Sequence, residues 1–228
     1  MKKTILVIGA SRGIGAEVVK HFSENDHRVM GVSRSQAKNC EWIQADISSA
    51  EGIKQLFSTL GQTPIDTLIY SSGVWEDYGF TKEFDFQKTS ESETRQIMSV
   101  NLVAPIEITK RAVANLSLST DPRAIYLGAL SGMEQWASSQ VAYTASKFGL
   151  RGAIQGLRLA LKQQGIGFSV INPGNVATEE VLLDIQEGRC KQQTPIPMSD
   201  ILSTLDWLLS LSASVEVGDI NLIQRDSI

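Results

Sequence analysis

The 228-residue chain is 42% apolar and 20% charged, the make-up of a globular protein with enough chain for one large domain or two small ones. Its 21 basic and 25 acidic residues leave a formal net charge of −4 with no block of like charges, which argues against a nucleic-acid groove and a polybasic membrane tether. Eighteen glycines and six prolines, scattered without period, exclude collagen-like and Pro-rich linker classes, and two cysteines, Cys40 and Cys190, are too few for a disulfide framework.

In chain order, Ile5 to Ala10 after Met1-Lys2-Lys3-Thr4 imitates a secretory leader. The run breaks at Ser11-Arg12-Gly13, too early for one, and reads as a buried first strand. Strands are expected at Thr4–Ile8, Arg28–Ser33, Glu41–Ala45, Asp66–Tyr70, Ala124–Gly128, Gly167–Asn172 and Asp219–Ile223. Several are apolar throughout, and helix-length segments separate them, the pattern of βα units around a parallel sheet covered on both faces.

The first helix opens at Gly13 and carries Ile14, Val18 and Phe22 along one side; Ser48-Ser49-Ala50-Glu51 reads as a capping box, Ser48 with Glu51, for the second. Residues 89–118 read as a long helix with a kink or break at Pro105. The stripe Phe148, Leu150, Ala153, Ile154, Leu157, Leu161 marks a helix ending near Gly165, and Ser199 is expected to cap a last one carrying Ile201, Leu202, Leu205, Leu208 and Leu209. The irregular stretch 174–198, with a short helix over 179–187, reads as a functional lid. No linker, repeat or membrane-length apolar run appears, so residues 1–228 are assigned to one domain, cytoplasmic and with reduced thiols.

Gly9-Ala10-Ser11-Arg12-Gly13-Ile14-Gly15 lies between the first strand and the first helix. Glycines there allow a tight turn and close approach of a pyrophosphate to backbone amides, at the positive end of a helix. The second strand ends in Val32-Ser33-Arg34-Ser35, where a domain of this kind built for NAD would carry an acid for the ribose 2′-hydroxyl. Arg34, helped by Arg12, matches a 2′-phosphate instead, so NADP is the expected cofactor. Tyr143 and Lys147, four apart, share one helix face, where an ammonium together with an oxidised nicotinamide would draw a phenol of ordinary pKa near 10 towards neutrality.

Together with Asp46, Asn101 in Ser99-Val100-Asn101-Leu102, and Asn172-Pro173-Gly174-Asn175-Val176-Ala177-Thr178, these motifs resemble the short-chain dehydrogenases/reductases in order and approximate spacing, from residue 4 to about 178. The resemblance implies a single Rossmann-type doubly wound α/β domain with a seven-stranded parallel sheet. It implies NADPH-dependent reduction of a ketone or aldehyde to an alcohol, or the reverse. Tyr143 would exchange the substrate proton, Lys147 would bind the nicotinamide ribose, and Asn101 would hold a relay water. The cofactor set it implies is Gly9, Ser11, Arg12, Gly13, Ile14, Gly15, Arg34, Asp46, Ile47, Ser71, Gly73, Asn101, Tyr143, Lys147, Pro173, Gly174, Val176 and Thr178, with no metal. A small-molecule partner and pairing of copies through the two long helices, as a homodimer or homotetramer, follow by the same resemblance.

Two departures stand out. The family's Asn-Asn-Ala-Gly is here Tyr70-Ser71-Ser72-Gly73, with a small Ser71 leaving room for the adenosine ribose. An ungapped match puts Ala129 at the catalytic-serine position, so either Ser131, two residues on, orients the carbonyl or the serine is missing. A catalytically impaired dinucleotide-binding sensor is the competing expectation. Trp75, Tyr78, Phe80 and Trp136 are candidates for an aromatic substrate wall; Trp42 and Trp207 read as core or packing residues, and His21 and His27 as surface groups.

Overall fold

A computed structural model describes residues 2–225. Strands β1 (Thr4–Ile8), β2 (Arg28–Ser33), β3 (Glu41–Gln44), β4 (Thr67–Tyr70), β5 (Arg123–Leu127), β6 (Gly167–Pro173) and β7 (Asp219–Leu222) alternate with α1 (Gly13–Glu24), α2 (Ala50–Leu60), α3 (Glu91–Met98), α4 (Ala104–Leu116), α5 (Val141–Ala160), α6 (Glu179–Gln186) and α7 (Met198–Ser210). The strands form one parallel sheet in the order β3-β2-β1-β4-β5-β6-β7. Each expected strand is present within a residue or so of its predicted ends. Among the described residues no helix is long and apolar enough to cross a membrane.

The unbroken apolar runs follow from burial on both faces. Leu6 and Ile8 point into a layer with Leu56, Ile108 and Phe168, while Ile5 and Val7 point into the opposite layer with Val18, Phe22 and Leu205. Both layers are apolar and buried, so neither face of β1 tolerates a polar side chain. β1 pairs with β2 on one side and β4 on the other, and the chain leaves these strands in opposite directions. The crevice beyond their carboxyl ends is where open α/β sheets bind ligands.

Three expectations at helix ends are corrected. The cap of α2 is Ser49, whose hydroxyl accepts from Gly52 N at 3.1 Å, because Ser48 is already committed to Asp46. Pro197 rather than Ser199 precedes α7, without a side-chain cap. The long helix over 89–118 is interrupted not at Pro105 but by a π-helical turn at Ser99–Val103, with Pro105 in the first turn of α4 behind it. Pro105 has no N–H for the carbonyl four residues earlier, that of Asn101, and the ladder yields just upstream. Trp42 packs as expected, giving its indole N–H to Ser33 Oγ at 3.1 Å, whereas Trp207 is 48% exposed and is not a core residue.

Candidate active site

The glycine turn is shaped by contacts that exclude side chains. Gly9 has φ +94°, and a Cβ there would lie 2.6 Å from Ser72 Oγ; at Gly15 it would lie 2.0 Å from the Gly9 carbonyl oxygen. Ser71 fills the floor of this turn, donating its hydroxyl to Ile8 O at 2.8 Å. Ser11 and Ile14 are partly buried there, Arg12 and Gly13 exposed. Thr178, which caps α6 through Val181 N, sits opposite: its Cγ2 is 3.9 Å from the Cβ position of Gly13.

Arg34 is exposed at the end of β2, and its field reaches Asp46 across the crevice rim. Burial pushes the Asp46 carboxyl up, but the Ser48 hydroxyl and amide and the Arg34 charge outweigh it and hold the group below the usual carboxylate range. Ile47 packs its side chain on the hydrophobic layer. On the far side, Pro173 ends β6, Gly174 N donates to Leu222 O, and buried Val176 bridges to Ile196, so this segment is tied to the last strand and to the stretch before α7.

The π-helical turn presents Asn101. Ala104 N donates to Ser99 O, five residues back, which leaves Val100 O to accept from the Tyr70 hydroxyl at 2.5 Å. Burial raises the Tyr70 phenol well above its ordinary value, so it stays a donor. Buried Asn101 accepts from Val74 N at 2.9 Å and donates to Val74 O at 2.7 Å and Ser146 Oγ at 3.0 Å. Sequence reading missed both Tyr70 and Ser146; the replacement of an expected asparagine by Tyr70 was the available signal.

Lys147 is buried, with Nζ donating to Leu127 O at 3.0 Å and standing 5.6 Å from the centroid of the Tyr143 ring. Around Gly73, Lys147 Nζ lies 3.5 Å and Asn101 Oδ1 4.0 Å from the position a Cβ would take, so two predicted site residues meet at this glycine. Burial lowers the Lys147 pKa to about 8. Burial and the Glu76 carboxylate push the Tyr143 phenol above its ordinary value, so in the protein alone the lysine does not bring it towards neutrality.

Of the four aromatics expected near a substrate, Trp75 and Phe80 meet the Tyr143 ring edge-on at 6.4 and 5.3 Å. Tyr78 is 66% exposed, and Trp136 is partly buried in the loop before α5. Ser131 is partly exposed in a short 3₁₀ turn, Leu130–Gly132, which presses on α5: a Cβ at Gly132 would lie 2.8 Å from the Lys147 backbone. Both histidines have structural partners, His21 on Asp206 at 2.9 Å and His27 accepting from Lys3 N at 3.1 Å.

These features define an open α/β fold with a glycine-lined crevice at its strand-order reversal. The chain belongs to the short-chain dehydrogenase family, whose pattern matches residues 3–183. A 3-oxoacyl-[acyl-carrier-protein] reductase, MabA, of Mycobacterium avium is 26% identical over 184 residues, covering 78% of this chain and 69% of the relative. Carbonyl reductase family member 4 of Xenopus tropicalis is 27% identical, covering 86% and 84%. The fold is shared with 4-hydroxyisoleucine dehydrogenase complexed with NADH (TM-score 0.79, 23% identity, 98% of each chain). It is also shared with ElxO with NADP bound (TM-score 0.80, 18% identity, 97% of each).

Proposed function

We propose that this oxidoreductase reduces a ketone or aldehyde with NADPH, or runs the reverse reaction, using Tyr143, Lys147 and Asn101. The observation that carries the reading is the convergence of Lys147 Nζ and Asn101 Oδ1 on Gly73, with the lysine also on the Tyr143 ring. The residues present fit a dinucleotide. A cradle at Gly9, Gly13 and Gly15 has no room for side chains at two of the three, and Ser11, Arg12 and Ile14 complete its amides. Asp46 and Ile47 would take the adenine end, Arg34 with Arg12 the 2′-phosphate, Ser71 and Gly73 the adenosine ribose and nicotinamide flank. Pro173, Gly174, Val176 and Thr178 would close the nicotinamide side.

Bound there, the nicotinamide supplies the hydride that a carbonyl carbon accepts. Tyr143, kept protonated by burial and Glu76, donates the proton to the carbonyl oxygen. Lys147 retains two N–H bonds beyond the one to Leu127 O, enough to hold a ribose hydroxyl, and it aligns the phenol. Asn101, locked by Val74 and Ser146, shapes the route by which water reaches Lys147. Ser131 would orient the carbonyl oxygen. Trp75 and Phe80 exclude water from the phenol and suit an apolar acyl or ring-bearing substrate.

NADPH consumption with a panel of 3-oxoacyl thioesters, ketones and aldehydes tests this. Turnover that vanishes in Tyr143→Phe but drops less than tenfold in Ser131→Ala would leave Ser131 outside the set, since an orienting hydrogen bond to developing charge is worth about 1.5–3 kcal/mol. A second reading, a dinucleotide-binding sensor, draws on Ala129 at the serine position; NADPH binding without turnover across the panel would select it. Exposed Val103 in the π-helical turn, Ile106 on α4 and Phe148 on α5 support pairing of copies through these helices, which light scattering checks.

A further inference from the structure

Glu76, in the loop after β4, is only 1% exposed, yet no cation pairs with it among the described residues. Its Oε1 accepts from Ala142 N at 2.7 Å and Tyr143 N at 3.2 Å, the second and third residues of α5. That helix has no cap of its own, since the Gln140 side chain makes no capping bond. The other oxygen, Oε2, is buried without a hydrogen-bond partner. A carboxylate from a distant loop therefore does the work of a local N-cap, at the turn that carries Tyr143.

The loop is bolted down around this contact. Asp77 N donates to the Glu93 carboxylate, which also belongs to the capping box of α3, and Lys82 N donates to Arg189 O beyond α6 at 3.1 Å. Tyr78 and Phe80, neither of them glycine, hold φ of +59° and +68°, a conformation that persists only where surroundings enforce it. Gly79 lets the loop close on α5: a Cβ there would lie 2.6 Å from Glu76 O and 3.4 Å from Gln140 Cγ.

We propose that Glu76 is a positioning residue for Tyr143: one carboxyl oxygen fixes the first turn of α5 from a separate loop and holds that side chain against the backbone of the tyrosine. Burial and the Glu76 carboxylate raise the Tyr143 phenol, while Lys147 Nζ stands 5.6 Å from the ring centroid and Trp75 and Phe80 cover the ring with neutral rings. Glu76 thus biases the site towards a protonated Tyr143, the form that gives a proton to a carbonyl. The inference rests on Tyr143 as proton donor, and the two fail separately. A Tyr143→Phe protein that still reduces a carbonyl removes that role; the coupling of the two side chains is read without turnover.

Glu76→Gln keeps an oxygen for the two amides and removes the charge. With the tyrosines replaced by difluorotyrosine, a more acidic phenol, fluorine NMR of the full chain follows each ionisation, and Tyr143→Phe identifies the Tyr143 signal. The Glu76→Gln midpoint should fall by about one pH unit, a tenfold rise in the ionisation constant. An unchanged or higher midpoint overturns the proposal. Should that variant not fold, the parent carries the test: a glutamate carboxyl-carbon resonance must inflect at the Tyr143 midpoint and lose that inflection in Tyr143→Phe. Its absence overturns the proposal equally.

Discussion

Lys147 sets function against stability within one side chain. Its pKa is lowered by burial from 10.5 to about 8, so folding costs free energy while the group is charged. Above pH 10.5 both states are neutral and the full contribution to stability is present; it is lost as pH falls towards 8 and is absent at pH 7. Lys147→Met should therefore stabilise the unliganded protein at pH 7 by about 1–3 kcal/mol in denaturant titrations while abolishing turnover. In the parent, kcat/KM should decline as pH rises through about 8, because deprotonation removes the charge beside the phenol. A rate that is flat from pH 7 to 9 would contradict the role assigned to that charge.

Arg34→Asp should turn a preference for NADPH into one for NADH, read as the ratio of the two Kd values, because the acid repels a 2′-phosphate and can accept from a ribose hydroxyl. Ser49→Ala should cost about 1 kcal/mol by loss of the α2 cap. Ser48→Ala should act instead through Asp46, raising its pKa by removing the hydroxyl donor. Sequence pattern pointed to Ser48 because Ser-x-x-Glu spacing is a capping signal. The competing bond to Asp46 is set by the chain path out of β3, which spacing does not encode.

At the scale of elements, strands and phosphate turn were legible because each is written in local residue type: apolar runs for β1 and β4, glycines for the turn between β1 and α1. The interruption between α3 and α4 was only half legible. Pro105 announces a defect, but its position follows from Tyr70, which occupies the freed Val100 carbonyl from a strand thirty residues earlier in the chain. Tyr70→Phe should leave that buried carbonyl unpaired, cost about 1–3 kcal/mol, and lower turnover by displacing Asn101. Stability and rate measured on the same preparation check both effects. Glu76 was not legible at all, since a buried acid bridging a loop to the start of α5 has no periodicity and no motif.

For the whole molecule, the order β3-β2-β1-β4-β5-β6-β7 brings the ends of β1, β4, β5 and β6 to one rim. That rim collects the glycine turn, Gly73, the Leu130–Gly132 turn and the Pro173–Thr178 segment. Residues spread over most of the chain thus form one crevice, and a net charge of −4 coexists with exposed Arg12 in the glycine turn and exposed Arg34 after β2. The substrate was not legible because the walls we propose for it, the loop at Trp75–Phe80, the turn at Ser131 and the segment around α6, pack through contacts far apart in sequence.

The central claim is that this crevice transfers hydride from NADPH to a carbonyl while Tyr143 supplies the proton. The direct measurement uses NADPH carrying deuterium at both positions of nicotinamide C4 with a carbonyl that the panel shows to be consumed, and mass spectrometry of the alcohol formed by the parent and by Tyr143→Phe. The account predicts one deuterium on the carbinol carbon with the parent, and loss of product with Tyr143→Phe while NADPH still binds. Unlabelled alcohol from the parent, or undiminished labelled product from Tyr143→Phe, would contradict it.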